Sequence, residues 1–163
     1  MAIAPTFDAA MLVLLSPSKT MASDAPSVQF EPSQPVFLQR AELLMSTLKK
    51  MGIGEIEALM KVSRSIAEDV QERCSKWSVP FTEENAMPAA YGFKGAVYTG
   101  LDTRSWTTED MEFAQGHLRI LSGLYGLLGP KDYMQPYRLE MGLKWPNTSE
   151  NKNLYSFWGS ELQ

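Results

Sequence analysis

The sequence contains one cysteine and one histidine in 163 residues, and these shortages exclude whole classes of chemistry. Cys74 alone cannot form an internal disulfide, which predicts a reducing, cytoplasmic setting. With His117 as the sole imidazole, a zinc site built from several His and Cys ligands cannot be assembled, and no metal or other cofactor is expected. The apolar run Met11 to Leu15 is too short to span a bilayer and follows no cationic segment, so membrane insertion is not expected. Basic residues are in the minority, 15 Lys and Arg against 19 Asp and Glu, for a net charge of -4. The whole-molecule field therefore repels phosphate, and any nucleic-acid contact must come from a local basic patch.

A composition of 44% hydrophobic and 21% charged residues fits one globular domain with an ordinary core. Residues 1–10 carry no pattern and precede a second methionine; they read as a leader, with the domain over 11–163. Met11–Leu15, closed by Ser16-Pro17, predicts a strand buried on both faces. The segment Ala22 to Pro35, interrupted by Pro26, Pro32 and Pro35, predicts an extended surface connection. Ala41, Leu44, Leu48 and Met51 then fall at helical spacing, with Gly52 as the expected C-terminal stop. A short helix over Ile53 to Lys61 follows. Another begins at Ser65-x-x-Glu68, a capping-box pattern, with Val62, Ile66, Val70, Cys74 and Trp77 as its stripe.

The glycine-rich stretch Tyr91 to Leu101 has no periodicity that assigns an element. Thr107 or Thr108, with Glu109 and Asp110, predicts an N-cap and acidic first turn of a helix whose face carries Phe113, Ala114, His117, Leu118 and Leu121. Tyr137 to Met141 alternates as a strand would. Leu154 to Trp158 promises a further apolar element. The fold class that results is α+β, without internal repeats.

Three places concentrate chemistry. Ser16-Pro-Ser-Lys-Thr20 sits at a strand's carboxyl end, where open sheets bind ligands; it is either an ordinary polar turn or a site in which Ser16, Ser18, Lys19 and Thr20 meet a phosphate. It lacks the glycines of a P-loop. Ser122-Gly-Leu-Tyr-Gly126 is either a plain helix stop or a hairpin whose free amides accept a phosphate. Arg138 and Glu140 form a structural ion pair or line a polar cleft. His117 reads as a half-buried, hydrogen-bonded core residue and Cys74 as a structural thiol.

Taken in order, Ser16 to Thr20, Phe93 to Leu101, His117 to Leu128, Pro136 to Gly142 and Leu154 to Trp158 resemble the YaaA peroxide stress resistance family. The resemblance runs from Met11 to about Gly159 and implies a mixed helix-and-strand fold, incomplete at its C-terminus. It also implies a helix-hairpin-helix-like element at Ser122, Gly123, Leu124, Tyr125 and Gly126. The implied function is protection against iron- and peroxide-dependent damage, with sequence-independent binding of duplex or branched DNA by a monomer. Lys19, Lys94, Arg119, Lys131 and Arg138 are then the candidate DNA contacts. The alternatives are an enzyme acting on a nucleotide or nucleobase at Ser16 to Thr20, although no catalytic motif marks one, and a nonfunctional fragment.

Overall fold

Periodic apolar spacing in the first third of the chain produces three helices, α1 (Leu38–Leu48), α2 (Ile53–Met60) and α3 (Arg64–Lys76). The computed structural model describes residues 11–145 and 153–162; the leader expected at 1–10 lies outside the described residues. Ala41, Leu44 and Leu48 are buried as their spacing predicts, joined by Met45. Gly52 does not close α1, which ends at Leu48 with Lys49 as its C-cap. It opens α2, where its N–H donates to Glu55 Oε2 at 2.8 Å. The expected capping box at Ser65 is also displaced: Ser63 is the N-cap of α3, and Glu68 instead pairs with Arg64 one turn back, at 3.2 Å. Val70, Cys74 and Trp77 are buried in the main core.

Helix α6 (Thr108–His117) starts where the sequence places it. The Thr107 hydroxyl accepts from the Asp110 N–H at 3.1 Å and the Asp110 carboxylate accepts from the Thr107 N–H at 2.8 Å. The helix does not run on to Leu121. From Leu118 the burial alternates, with Leu118, Ile120 and Ser122 inside, and a period of two suits a strand. The chain accordingly forms β3 (Leu118–Ser122), turns, and returns as β4 (Gly126–Leu128), pairing Ile120 with Leu128 and Ser122 with Gly126 antiparallel. The helix-hairpin-helix-like element expected at Ser122–Gly126 is therefore a β-hairpin.

Strand β1 (Val13–Leu15) lies parallel to β3, Val13 opposite Leu118 and Leu15 opposite Ile120, in the order β1-β3-β4. It is not buried on both faces: Leu12 and Leu14 are 53% and 56% exposed, because among the described residues β1 pairs with β3 alone and little covers its second face. A two-stranded ladder joins β2 (Met87–Pro88) to β5 (Tyr133–Met134). The unassigned glycine-rich stretch folds as α4 (Ala89–Gly92) and α5 (Ala96–Leu101). Tyr137 to Met141 keeps its alternation, Tyr137 and Leu139 buried and Glu140 exposed, without entering a ladder. Leu154–Trp158 forms α7, capped by the Asn153 side chain.

The proline-rich connection is tied down at Ser33, whose hydroxyl donates to Asp132 Oδ1 at 2.6 Å and whose carbonyl accepts from the Tyr133 N–H. Among the described residues, no helix is long and apolar enough to cross a membrane.

Candidate functional site

The loop Ser16 to Thr20 leaves β1 at its carboxyl end and is held from behind. The Tyr98 hydroxyl donates to the Ser16 carbonyl at 2.7 Å, and the Lys94 N–H donates to the Thr20 carbonyl at 2.9 Å. Within the loop the Ser18 hydroxyl accepts from the Thr20 N–H at 3.1 Å. Facing it is the extended segment Tyr137 to Gly142. Between them lies a cavity of about 490 Å³ whose walls include Lys19, Arg138, Glu140, Tyr137, Tyr155 and Trp158.

The charges divide unequally. Lys19 Nζ stands 3.0 Å from Glu140 Oε1, so Glu140 pairs with Lys19 rather than with Arg138, and all three line the same cavity. Arg138 Nε is screened from solvent and has no hydrogen-bond partner among the described residues. A guanidinium N–H left in that state is costly. The paired Lys19 and Glu140 cancel, leaving Arg138 to make the cavity favour an anion or a carbonyl oxygen.

The hairpin contributes from underneath. Ser122, Gly123, Leu124, Tyr125 and Gly126 are all buried, so the turn presents no amides to a phosphate. Ser122 Oγ instead donates to the Tyr137 hydroxyl at 2.6 Å, and Trp158 Nε1 donates to the Gly123 carbonyl at 3.0 Å. Two walls of the cavity are thus hung on the turn. Burial pushes the Tyr137 phenol upward, which keeps it a neutral hydrogen-bonding group.

The remaining candidates lie apart. Lys94 borders a separate depression beside Asp102 and Arg104. Arg119 Nη1 donates to the Gln115 and Leu118 carbonyls at 2.6 and 2.7 Å, satisfying carbonyls at the end of α6. Lys131 Nζ pairs with Glu112 at 2.6 Å. Of the cationic residues expected to form one site, only Lys19 and Arg138 share the cavity; Ser16 and Ser18 also line it, and Thr20 does not. Tyr137, Tyr155 and Trp158 were missed as walls. The sequence signal for them was aromatic residues flanking the Arg138 and Ser156 positions, which core packing explains equally well. A second cavity, of about 570 Å³, carries Lys50, Glu55 and Lys144 against α1 and α2 and includes none of the candidate site residues.

His117 is half-buried and stacks on Phe113 with ring centres 4.1 Å apart, its Nδ1 2.7 Å from the Phe113 carbonyl. Cys74 is buried, and that burial pushes its thiol up to about 11. Neither residue approaches the cavity wall.

A sequence profile described as Peroxide stress protein YaaA matches residues 11–163. The UPF0246 protein of Colwellia psychrerythraea is 49% identical over 149 residues, 91% of this chain and 58% of the relative. That of Saccharophagus degradans is 45% identical over 152 residues, 93% of this chain and 59% of the relative. The UPF0246 protein VFMJ11_2214 of Aliivibrio fischeri is 48% identical over 150 residues, 92% and 58% respectively. The chain spans a little under three-fifths of the length of these curated relatives.

Proposed function

Because this chain belongs to the peroxide stress protein YaaA family, we propose that it binds DNA without sequence preference in the cytoplasm, limiting iron- and peroxide-dependent damage, and that contact is made at the Lys19–Arg138 cavity. The observation that carries this reading is that Lys19 and Arg138, two cations 119 positions apart in sequence, line one cavity at the carboxyl end of β1, where a phosphate or base oxygen would meet both. Lys19 adds a flexible, half-committed cation at the mouth. A net charge of -4 confines attraction to this patch, so affinity should be modest, with a shallow salt slope set by about two phosphate contacts.

A second reading is favoured by the enclosure. A cavity of about 490 Å³ with aromatic walls is in the range of small-molecule sites, and it would admit a single nucleotide or nucleobase. On this reading the protein is an enzyme acting on such a unit, with Lys19 and Glu140 as its polar pair.

Fluorescence anisotropy against labelled duplex and branched DNA over a salt titration tests the first reading. Affinity should fall linearly in log salt, and Lys19→Ala or Arg138→Ala should weaken it several-fold while Lys131→Ala leaves it unchanged. Equal effects from all three would remove DNA from the cavity. Direct binding of a fluorescent mononucleotide, with no DNA binding at low salt, would favour the second reading.

A further inference from the structure

Four of the five sequence blocks that carry the family resemblance place a side chain on the wall of the Lys19–Arg138 cavity; Phe93 to Leu101 places none. This block lies behind the loop instead and holds it at both ends. At the far end the Lys94 N–H donates to the Thr20 carbonyl at 2.9 Å and the Gly92 carbonyl accepts from the Ala22 N–H at 3.0 Å, with Met21 and Phe93 paired in a single antiparallel bridge. At the near end the Tyr98 hydroxyl donates to the Ser16 carbonyl at 2.7 Å.

Tyr98 is the side chain in this set, and packing fixes it. It is buried, and its ring stacks on Phe93 with centres 5.2 Å apart. Burial also pushes the phenol upward, so it keeps its proton and serves as a donor. Ser16 is the first residue beyond β1, so a bond at its carbonyl sets the direction in which the chain leaves the strand. Lys19 follows three residues later. Gly95, at φ 121°, brings the block in under the loop, where a Cβ would stand 3.4 Å from Ser18 Oγ; a side chain at that φ is strained.

We propose that Tyr98 is the positioning residue of the cavity: through the Ser16 carbonyl it sets the exit of the loop from β1, and with it where Lys19 stands relative to Arg138. The inference rests on the reading of that cavity as the binding site. Tyr98 is not on the cavity wall, so it acts through the loop and not on an occupant. Phenylalanine in its place keeps the stack on Phe93 and loses the bond. The loop then spends part of its time elsewhere, and apparent affinity falls with the fraction in place. The loss is bounded by what removing the Lys19 charge itself does.

Two measurements on the same variants test it. Tyr98→Phe should weaken DNA binding about threefold, as the loss of one ordinary hydrogen bond allows, and should add nothing in a chain already carrying Lys19→Ala. Thr103→Val is the control: it removes another buried hydroxyl, one that donates to the Ala90 carbonyl at 2.8 Å, and should leave affinity unchanged. Exchange of the Lys94 amide, whose bond to the Thr20 carbonyl opens when the loop lifts, should rise several-fold in Tyr98→Phe and not in Thr103→Val. This second readout needs no ligand, so it separates the two ideas: the expected exchange pattern in a chain that binds no DNA at any salt removes the DNA reading and keeps the anchored loop. An unchanged Lys94 rate in Tyr98→Phe overturns the proposal. So does a Tyr98→Phe penalty on binding that adds in full to that of Lys19→Ala.

Discussion

Lys19 Nζ lies 3.0 Å from Glu140 Oε1, joining the loop after β1 to the segment across the cavity. Both side chains are about half exposed, at 61% and 47%, and an exposed pair contributes at most about 1 kcal/mol. Its larger effect is on charge at the mouth. Glu140→Gln should release Lys19 and strengthen DNA binding roughly two- to tenfold at low salt, with thermal stability nearly unchanged. Weaker binding by this variant, measured by anisotropy, would mean that Glu140 orients Lys19 rather than restrains it.

The Tyr125 hydroxyl is a polar group buried within the core. It accepts from Trp77 Nε1 at 2.9 Å and from the Gln135 N–H at 3.0 Å, and donates to the Gln135 carbonyl at 3.1 Å. Tyr125→Phe keeps the ring and leaves two donors unmet, so it should cost about 2–4 kcal/mol. Urea unfolding should show a lower midpoint at an unchanged slope.

At Gly123 a Cβ would fall on the Leu139 carbonyl, a backbone group that cannot swing aside. Gly123→Ala should force the hairpin away from the Tyr137 to Gly142 segment, costing about 1–3 kcal/mol. Because that segment is a cavity wall, DNA binding should fall even under conditions where circular dichroism reports a folded protein.

The sole thiol should be indifferent to peroxide. With Cys74 buried and its thiol raised to about 11, about one part in ten thousand would be thiolate at pH 7. Labelling by iodoacetamide should be slow in the native protein and fast in urea. Cys74→Ser should leave cellular protection against peroxide intact if the protein remains folded.

The start of α6 should be acid-sensitive. The backbone N–H and then the hydroxyl of Thr107 hold the Asp110 carboxyl below its usual value of 3.8. A depressed carboxylate stabilises the fold above its unfolded pKa and loses that contribution as pH falls through the folded one. Amide exchange in the first turn of α6 should therefore accelerate as pH drops below about 4, once the intrinsic pH dependence is removed. Asp110→Asn should show the loosened turn already at neutral pH.

Elements governed by local physics were legible in the sequence. The periodic stripes of α1 and α3 and the Thr107–Asp110 cap act within a few residues, and they stand where those residues place them. Gly52 was read as a stop because a glycine after an apolar stripe commonly is one, yet α1 had already ended. Leu118 to Leu121 was misread because Leu118 and Leu121 satisfy a helical stripe as well as Ile120 satisfies a strand. Pairing with β1, over a hundred residues earlier, decided between them. The same distance dependence split the cationic residues: Lys19 and Arg138 converge through tertiary packing, whereas Arg119 and Lys131 are used by carbonyls and a carboxylate beside them. Charge type is visible in a sequence; whether a neighbour has already taken it is not.

Trp158 borders the cavity and binds its indole N–H to the Gly123 carbonyl. The molecule therefore contains an intrinsic optical probe at the place where a guest would arrive. An occupant that strips water from the ring or pulls on the turn beneath it changes the polarity around that indole. Emission wavelength and quenching by iodide can follow such a change in unlabelled protein, against the background of three other tryptophans.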